Sequence, residues 1–504
     1  MSDGFAASLA GQGLRLFEPR NASRVLVALL IVYTLGFLVF YPATLTVADE
    51  GTYVRQAQLM IQGSTAVGLV DPFTGQPTEI RPINGYPLGT ALLLLPFVAL
   101  GGREAACILA LLCTLAGVGL TGLLLRDEGK SPLWAALVLA FPATSVMGRV
   151  AMSEAPSLMA VALGLVLYFR SLSRESVPLL FAAGAVAGAS FAIRETNVLL
   201  FAPLFLGSAV RRDHGWPLLV LGGVLGLTVR ALSAWMFFGD PFFTKTPADF
   251  SIASIAQSAP IYLFATLVLV PGGLITAGAY RGRRRPEIVV TVLGFVLFYM
   301  TYSYTAESSG WAKRLVLGPR YFIPLLPMLA LTAADVWPRW AAAIRGRLAE
   351  RTARTAETAI GVVCVAGVAA LAVALLAVQF VHAEWAEDQA RVREAIYRNT
   401  EDGSVIVTNW KATGKFIDLV GGKRVILRRE SVGRVHVARL LETQGAFYVV
   451  FLDRSDAAFW RRNAMDNALF VGQLRASKEL ILDLRVTPTD RLRIWRVSDR
   501  SRGG

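Results

Sequence analysis

Histidine and cysteine are scarce in this chain, with three of each in 504 residues. Cys107, Cys113 and Cys364 all fall inside apolar runs and none has CxxC spacing. That pattern removes a disulfide framework and a zinc site from consideration. His214, His382 and His436 are far apart in the sequence, so no histidine metal cluster is legible. Each is expected at an interface or on the surface. There is no GxGxxG and no P-loop, hence no indication of a nucleotide-binding loop. Charge is in short supply as well. Only 17% of residues are charged, against roughly 25% in soluble domains.

Apolar residues fill the space the charges leave, at 54% of the chain. They come in blocks at 24–42, 86–102, 104–125, 131–147, 155–170, 178–193, 196–210, 215–238, 260–280, 288–304, 319–336 and 357–380. Repeated blocks of this length, separated by short charged loops, describe a polytopic membrane protein. The formal net charge is +14. Nucleic acid is not the implied partner, because many arginines flank apolar blocks, where the positive-inside bias places them. The first block, held by Arg15, Arg20 and Arg24, has no small-residue cleavage site after it and reads as a span.

The loops RRDH at 211–214, RGRRR at 281–285 and the run 339–354, with five arginines to one glutamate, are basic. All three are expected to be cytoplasmic. Between a cytoplasmic N-terminus and a cytoplasmic RRDH the number of crossings must be even, yet seven blocks lie in that interval. One of them does not cross. Block 86–102, YPLGTALLLLPFVALGG, is short, has a proline at its second position and ends in two glycines, which suits an interfacial helix. Block 131–147 is the second choice. The expected fold is a polytopic all-α membrane domain with about 11 crossings plus an interfacial helix, followed by a small extracytoplasmic α/β or α+β domain. The boundaries are a cytoplasmic segment at 1–23, the membrane domain at 24–380 and the soluble domain at 383–504. In the last, GSVIVTNW, KRVILRR, AFYVVFLD, ELILDLRV and RLRIWRV read as strands, with helical runs at 384–398 and 456–475.

Polar residues at the expected outer face need a reason to be there. Asp49 and Glu50 follow the first span in DEGTYVRQ. On a helix, Asp49, Tyr53 and Gln56 share a face, although acids at a helix start also complement its dipole. Arg81 precedes the interfacial helix, where it suits a lipid phosphate or a substrate phosphate, and Tyr86 sits at the head of that helix. Glu154 in GRVAMSEAP has Arg149 nearby as an ion-pair partner. Arg194, Glu195 and Asn197 lie between two apolar blocks with almost no loop, and a mutual Arg194–Glu195 pair is the plain account. Lys313, Arg314 and Arg320, with Tyr321, place cations where the positive-inside rule disfavours them. Headgroup binding accounts for that, and so does a bound anion gripped in bidentate geometry. Together, carboxylates and a phosphate-sized cationic patch suit transfer from a polyprenyl-phosphate donor. A carboxylate would deprotonate the acceptor hydroxyl and the cations would neutralise the departing phosphate.

These motifs, DEGTY at 49–53, GYPLGTALLLLP at 85–96, MSEAP at 152–156, RETN at 194–197 and GPRYFIPLLP at 318–327, resemble those of the GT-C class of integral-membrane glycosyltransferases. The nearest likeness is to bacterial relatives of protein O-mannosyltransferases and of the aminoarabinose transferase acting on lipid A. It spans roughly residues 24 to 336. The resemblance implies a bacterial inner-membrane enzyme with a polyprenyl-phosphate sugar donor and a glycan, lipid or protein acceptor, in contact with membrane lipids. It implies Asp49 as general base, Glu50 beside it, Glu154 as a further acid, and Arg320 at the donor phosphate. Tyr53, Arg81, Tyr86, Arg194, Glu195, Asn197, Lys313, Arg314 and Tyr321 are the remaining substrate-binding candidates. It requires no cofactor; some members of the class hold a divalent cation through acidic residues and others do not. The tail after 380 matches no particular subclass. The rival readings are a transporter or flippase for a lipid-linked saccharide, which would carry inverted repeats, and a membrane scaffold.

Overall fold

The structure is a computed structural model. It describes residues 18–80, 86–243, 250–302, 318–347, 350–409, 424–454, 469–474, 476–488 and 490–499. The chain forms two compact units that interleave in sequence. One comprises Met1–Tyr41, Gly85–Leu93 and Cys107–Val381, and the other Pro42–Asn84, Leu94–Ala106 and His382–Gly504.

The first unit is helical. Among the described residues, seven helices are long and apolar enough to cross a membrane: Pro19–Val39, Arg103–Asp127, Glu154–Arg174, Trp216–Phe238, Ile252–Leu269, Gly318–Arg345 and Thr358–Arg398. Gly89–Gly101, Val177–Ile193 and Glu195–Val210 are shorter apolar helices. This is a multi-pass helical membrane protein. The helix Gly89–Gly101 has 13 residues, about 20 Å at 1.5 Å per residue, well short of the ~30 Å hydrocarbon core.

Two blocks expected as single spans are broken. Block 131–147 is a 3-10 turn, Pro132–Ala135, then Ala136–Ala140 and Pro142–Met147. Phe141 is extended, with ψ 114°, because the residue ahead of a proline is pushed out of the helical region. Block 260–280 breaks in the same way. After Ala265–Leu269, Val270 is extended ahead of Pro271, and Gly272 takes φ +67° before a new helix, Gly273–Ala279. Only glycine adopts that φ without strain.

The helices Val177–Ile193 and Trp216–Phe238 meet backbone to backbone. A Cβ at Gly184 would lie 2.0 Å from the Leu219 carbonyl oxygen, and one at Gly188 would lie 2.1 Å from that of Gly223. Gly222 and Gly226 return the contact against the carbonyls of Phe181 and Ala185, at 2.2 Å each. Glycines four apart on both helices make this approach possible where apolar burial supplies no drive. On the side of the basic loops, Asp335 accepts from Lys130 Nζ at 2.6 Å and from the Arg281 amide at 3.1 Å. That anchors helix Leu326–Arg345.

The second unit holds the helix Ala48–Ile61, the hairpin β1 (Val67–Val70) and β2 (Pro77–Ile80), and a mixed sheet. The sheet comprises β3 (Val405–Thr408), β4 (Val425–Arg428), β5 (Ala446–Arg454), β6 (Ser477–Arg485) and β7 (Asp490–Ser498), in the order β4-β3-β5-β7-β6. All five segments expected as strands are strands. β3 runs parallel to β4 and β5, while β7 is antiparallel to β5 and β6. Alternation splits β5 between two cores, as a period of two requires. Phe447, Val449 and Phe451 pack with Leu440 of helix Arg434–Gln444. Tyr448, Val450 and Leu452 pack with Val392 and Ile396, which belong to the 49-residue helix Glu350–Arg398. The run expected as a separate helix at 384–398 is the end of that element. Of the helix expected at 456–475, residues 455–468 and 475 lie outside the described residues. The hairpin tip joins this unit: Thr443 Oγ1 donates to the Pro72 carbonyl at 2.6 Å, and the Phe73 ring lies 5.1 Å from that of His436.

Candidate functional site

The first unit gathers residues from four separate motifs. Glu154 opens the helix Glu154–Arg174 and is 1% exposed. Its Oε1 lies 3.3 Å from Arg194 Nη1 and 3.5 Å from Arg320 Nε. Both guanidiniums also lie against the Tyr321 ring, at 4.8 Å for Arg194 and 5.1 Å for Arg320. Arg320 donates to the Tyr321 hydroxyl at 3.2 Å. Tyr321 stacks on Tyr299 with centroids 5.0 Å apart and planes 10° from parallel. The Tyr299 hydroxyl is 2.9 Å from that of Thr196, and Tyr302 meets the edge of Tyr321 at 5.3 Å.

Local sequence explains the positions. Arg194 is the extended residue between Val177–Ile193 and the turn Glu195–Asn197. A charged residue is costly inside either apolar run and is better placed at the break. Asn197 donates to Ser190 O at 3.0 Å and Ser157 Oγ at 3.2 Å, which pins that break to the helix of Glu154. Arg320 lies in Gly318–Leu325, a 3-10 stretch whose Pro319 and Pro324 oppose α-helical bonding. A Cβ on Gly89 would come within 2.5 Å of the Ala192 backbone. The head of the helix after Tyr86 thus packs directly beside the Arg194 break, with Tyr86 itself half-buried.

The ion pairs differ from those expected. Glu154 does not pair with Arg149. The Arg149 guanidinium, fully buried, donates to Gln379 Oε1 at 2.7 Å and to the Phe40 carbonyl, and Gln379 returns to Tyr33 O at 3.0 Å. Glu195 does not pair with Arg194. It accepts from Arg230 at 2.9 Å. Arg230, Tyr299, Tyr302 and Thr196 were not singled out in the sequence. Arg230 left a signal, being the one charge in the apolar helix Trp216–Phe238.

The second unit holds the acids of the first loop. Glu50 is fully buried. Its Oε2 accepts from the amides of Val47 at 2.6 Å and Thr46 at 2.7 Å, reaching back over the start of helix Ala48–Ile61. The Thr46 hydroxyl lies 3.2 Å from His382 Nε2. His382 is buried, where an interface or surface position was expected. Asp49 is half-exposed, and among the described residues nothing bonds its carboxylate. Tyr53 and Gln56 are buried one and two turns further on. Arg81, Lys313 and Arg314 lie outside the described residues. Among the described residues, no group of three or more His, Cys, Asp or Glu side chains is placed to hold a metal ion.

A multi-pass helical unit joined to a mixed-sheet unit, with two arginines meeting on one buried glutamate, defines the class of architecture. In fold the chain is similar to ArnT from Cupriavidus metallidurans. The structure of ArnT bound to undecaprenyl phosphate matches with a TM-score of 0.54 at 14% identity, covering 93% of this chain and 97% of that one. The apo structure of ArnT matches with a TM-score of 0.52 at 14% identity, covering 94% and 98%. No family model matches the sequence, and no curated protein matches it.

Proposed function

We propose that this protein is a membrane glycosyltransferase that moves a sugar from a polyprenyl-phosphate donor to an extracytoplasmic acceptor. The observation that carries the reading is the convergence of Arg194 and Arg320 on Glu154 Oε1 and on the Tyr321 ring. Two guanidiniums gathered at one point offer an anion several charge-assisted hydrogen bonds in fixed geometry. The fold is shared with ArnT, which has been solved with undecaprenyl phosphate, and that supports a lipid phosphate as the anion. Arg320 and Arg194 hold the donor phosphate, and Tyr321 and Asn197 help shape the site. Glu154 acts as a positioning residue that keeps the two guanidiniums together, and it is the reserve carboxylate.

In the transfer, Asp49 takes the acceptor hydroxyl proton. The acceptor oxygen bonds to the anomeric carbon as the carbon–oxygen bond to phosphate breaks. The lipid phosphate leaves with that electron pair, neutralised by the arginines. Glu50 fixes the helix start that carries Asp49. The arrangement in the bilayer is that of an inner-membrane protein with about 11 crossings and a non-crossing helix at 86–102. Its N-terminus is cytoplasmic, 24–380 is the catalytic membrane domain, and the 383–504 domain is extracytoplasmic. Reconstituted protein should transfer sugar from a polyprenyl-phosphate donor and not from a nucleotide sugar. Direct transfer from the nucleotide sugar would refute the donor assignment.

A further inference from the structure

The same helix that opens on Glu154 ends, 21 residues and about 30 Å later, at a second polar site. A cavity of about 730 Å³ lies there among the loops after Arg174, after Val210 and before Arg285. Its charged lining is balanced: Arg211, Arg283 and Arg284 face Glu175, Asp213 and Glu287. Arg284 is paired with Asp213, and Arg211 with Glu287. The Glu287 side chain is only 6% exposed, and among the described residues its Oε2 has no hydrogen-bond partner. A buried carboxylate oxygen without a donor is costly, so a donor is missing from the picture. Room for the carboxylate is built in. A Cβ on Gly207 would lie 2.2 Å from Glu287 Oε1. The non-glycine residues with left-handed φ among those described, Glu175 (+49°), Arg212 (+53°) and Arg284 (+59°), all lie in these loops.

We propose that this cavity binds the headgroup of a zwitterionic phospholipid bearing a primary ammonium, of the phosphatidylethanolamine type. The lipid would lie in the leaflet on the side of loops 211–214 and 281–285. The site sits where apolar helices end in basic loops, which is headgroup level. Its zero net charge disfavours a net-anionic lipid, while its two signs suit a headgroup that carries both. The ammonium has three N–H donors, one of which satisfies Glu287 Oε2. Arg283, which reaches Ser173 Oγ at 2.7 Å, and Arg211 face the phosphate. A volume of this size admits a headgroup with its first methylenes.

The test is lipid retention by the detergent-purified full chain, read by native mass spectrometry after incubation with equimolar phosphatidylethanolamine, phosphatidylcholine and phosphatidylglycerol. Phosphatidylethanolamine should be retained about tenfold over phosphatidylcholine, which has no N–H donor. Glu287→Gln should bring the two level without changing phosphatidylglycerol. Arg283→Ala should weaken all three. Because Glu287 is buried, Glu175→Gln at the exposed rim provides a second variant, with a reduction of about threefold in the ethanolamine preference. Equal retention of the ethanolamine and choline lipids by the wild type would overturn the proposal. So would dominant retention of phosphatidylglycerol, which would mark a plain anion site, and so would an ethanolamine preference that survives in both glutamate variants.

Discussion

Glu50 and Glu154 are two glutamates buried to the same degree, each at the start of a helix, and they are held in opposite ways. Glu50 Oε2 accepts from two backbone amides of its own chain turn and from the Thr46 hydroxyl at 3.3 Å. Glu154 is held by two guanidiniums contributed by segments 40 and 166 residues further along the chain. The amides belong to the capping turn at the start of Glu50's own helix. The guanidiniums are full charges drawn to one point from separate helices, and keeping them there against desolvation requires the carboxylate between them. Burial alone therefore does not distinguish the two; the origin of the partners does.

The comparison breaks most visibly at Glu154. Glu154→Ala leaves two guanidiniums without their shared carboxylate and should cost about 3–5 kcal/mol, read as thermal unfolding in detergent. Arg320→Met in the same background should recover part of that loss, because one of the two charges is gone. If the two losses simply add, the three groups are not a coupled cluster.

Arg320→Ala alone should lower turnover by about 10²- to 10³-fold and weaken donor binding, since the phosphate charge is present before and after transfer. Asp49→Asn should lower turnover by about 10²-fold or more while donor binding stays near normal. Kinetics together with a donor-binding isotherm on the folded variants separate the two. Full turnover in Asp49→Asn would move the base role to Glu50 first and then to Glu154.

Glu50→Gln keeps one acceptor and loses the charge. It should cost about 1–2 kcal/mol of stability, with a smaller fall in turnover than Asp49→Asn. A turnover loss equal to that of Asp49→Asn would place Glu50 in the chemistry and erase the contrast with a purely local role.

Asp71 gives the smallest effect and the sharpest control. Like Glu50 it is held by its own backbone, accepting from the amides of Phe73 at 2.8 Å and Thr74 at 2.9 Å, but it is only half-buried. Those amides hold its carboxyl below the usual aspartate range, with burial opposing weakly. A depressed carboxylate contributes stability that is fully present above its ordinary value, about 3.9, and is lost as pH falls through the lower folded value. Solvent screens the effect. The expected result is a slight loosening of the hairpin tip in that acid window, followed by amide exchange at Phe73 and Thr74, and absent in Asp71→Asn.

Part of this molecule was legible in one dimension. Apolar blocks announce a multi-pass protein because every backbone group in a bilayer must bond within its own segment, so the span is a local property. The five strands of the second unit announced themselves by short runs of β-branched and aromatic residues, a local preference for a pleated surface. Charges at breaks between apolar runs, Glu154, Arg194 and Arg320, were conspicuous because a bilayer makes such residues costly. Which charge meets which was not legible. Sequence proximity suggested Arg149 for Glu154 and Arg194 for Glu195. The fold instead gave Arg149 to Gln379 and the Phe40 carbonyl, and Arg230 to Glu195. Pairing depends on how helices cross, and here the crossing is set by glycines at 184, 188, 222 and 226 that let two backbones touch. The Tyr299–Tyr321 stack likewise exists only once the helices are packed. Hydropathy is summed along the chain, whereas an ion pair is chosen across it, and only tertiary structure makes that choice.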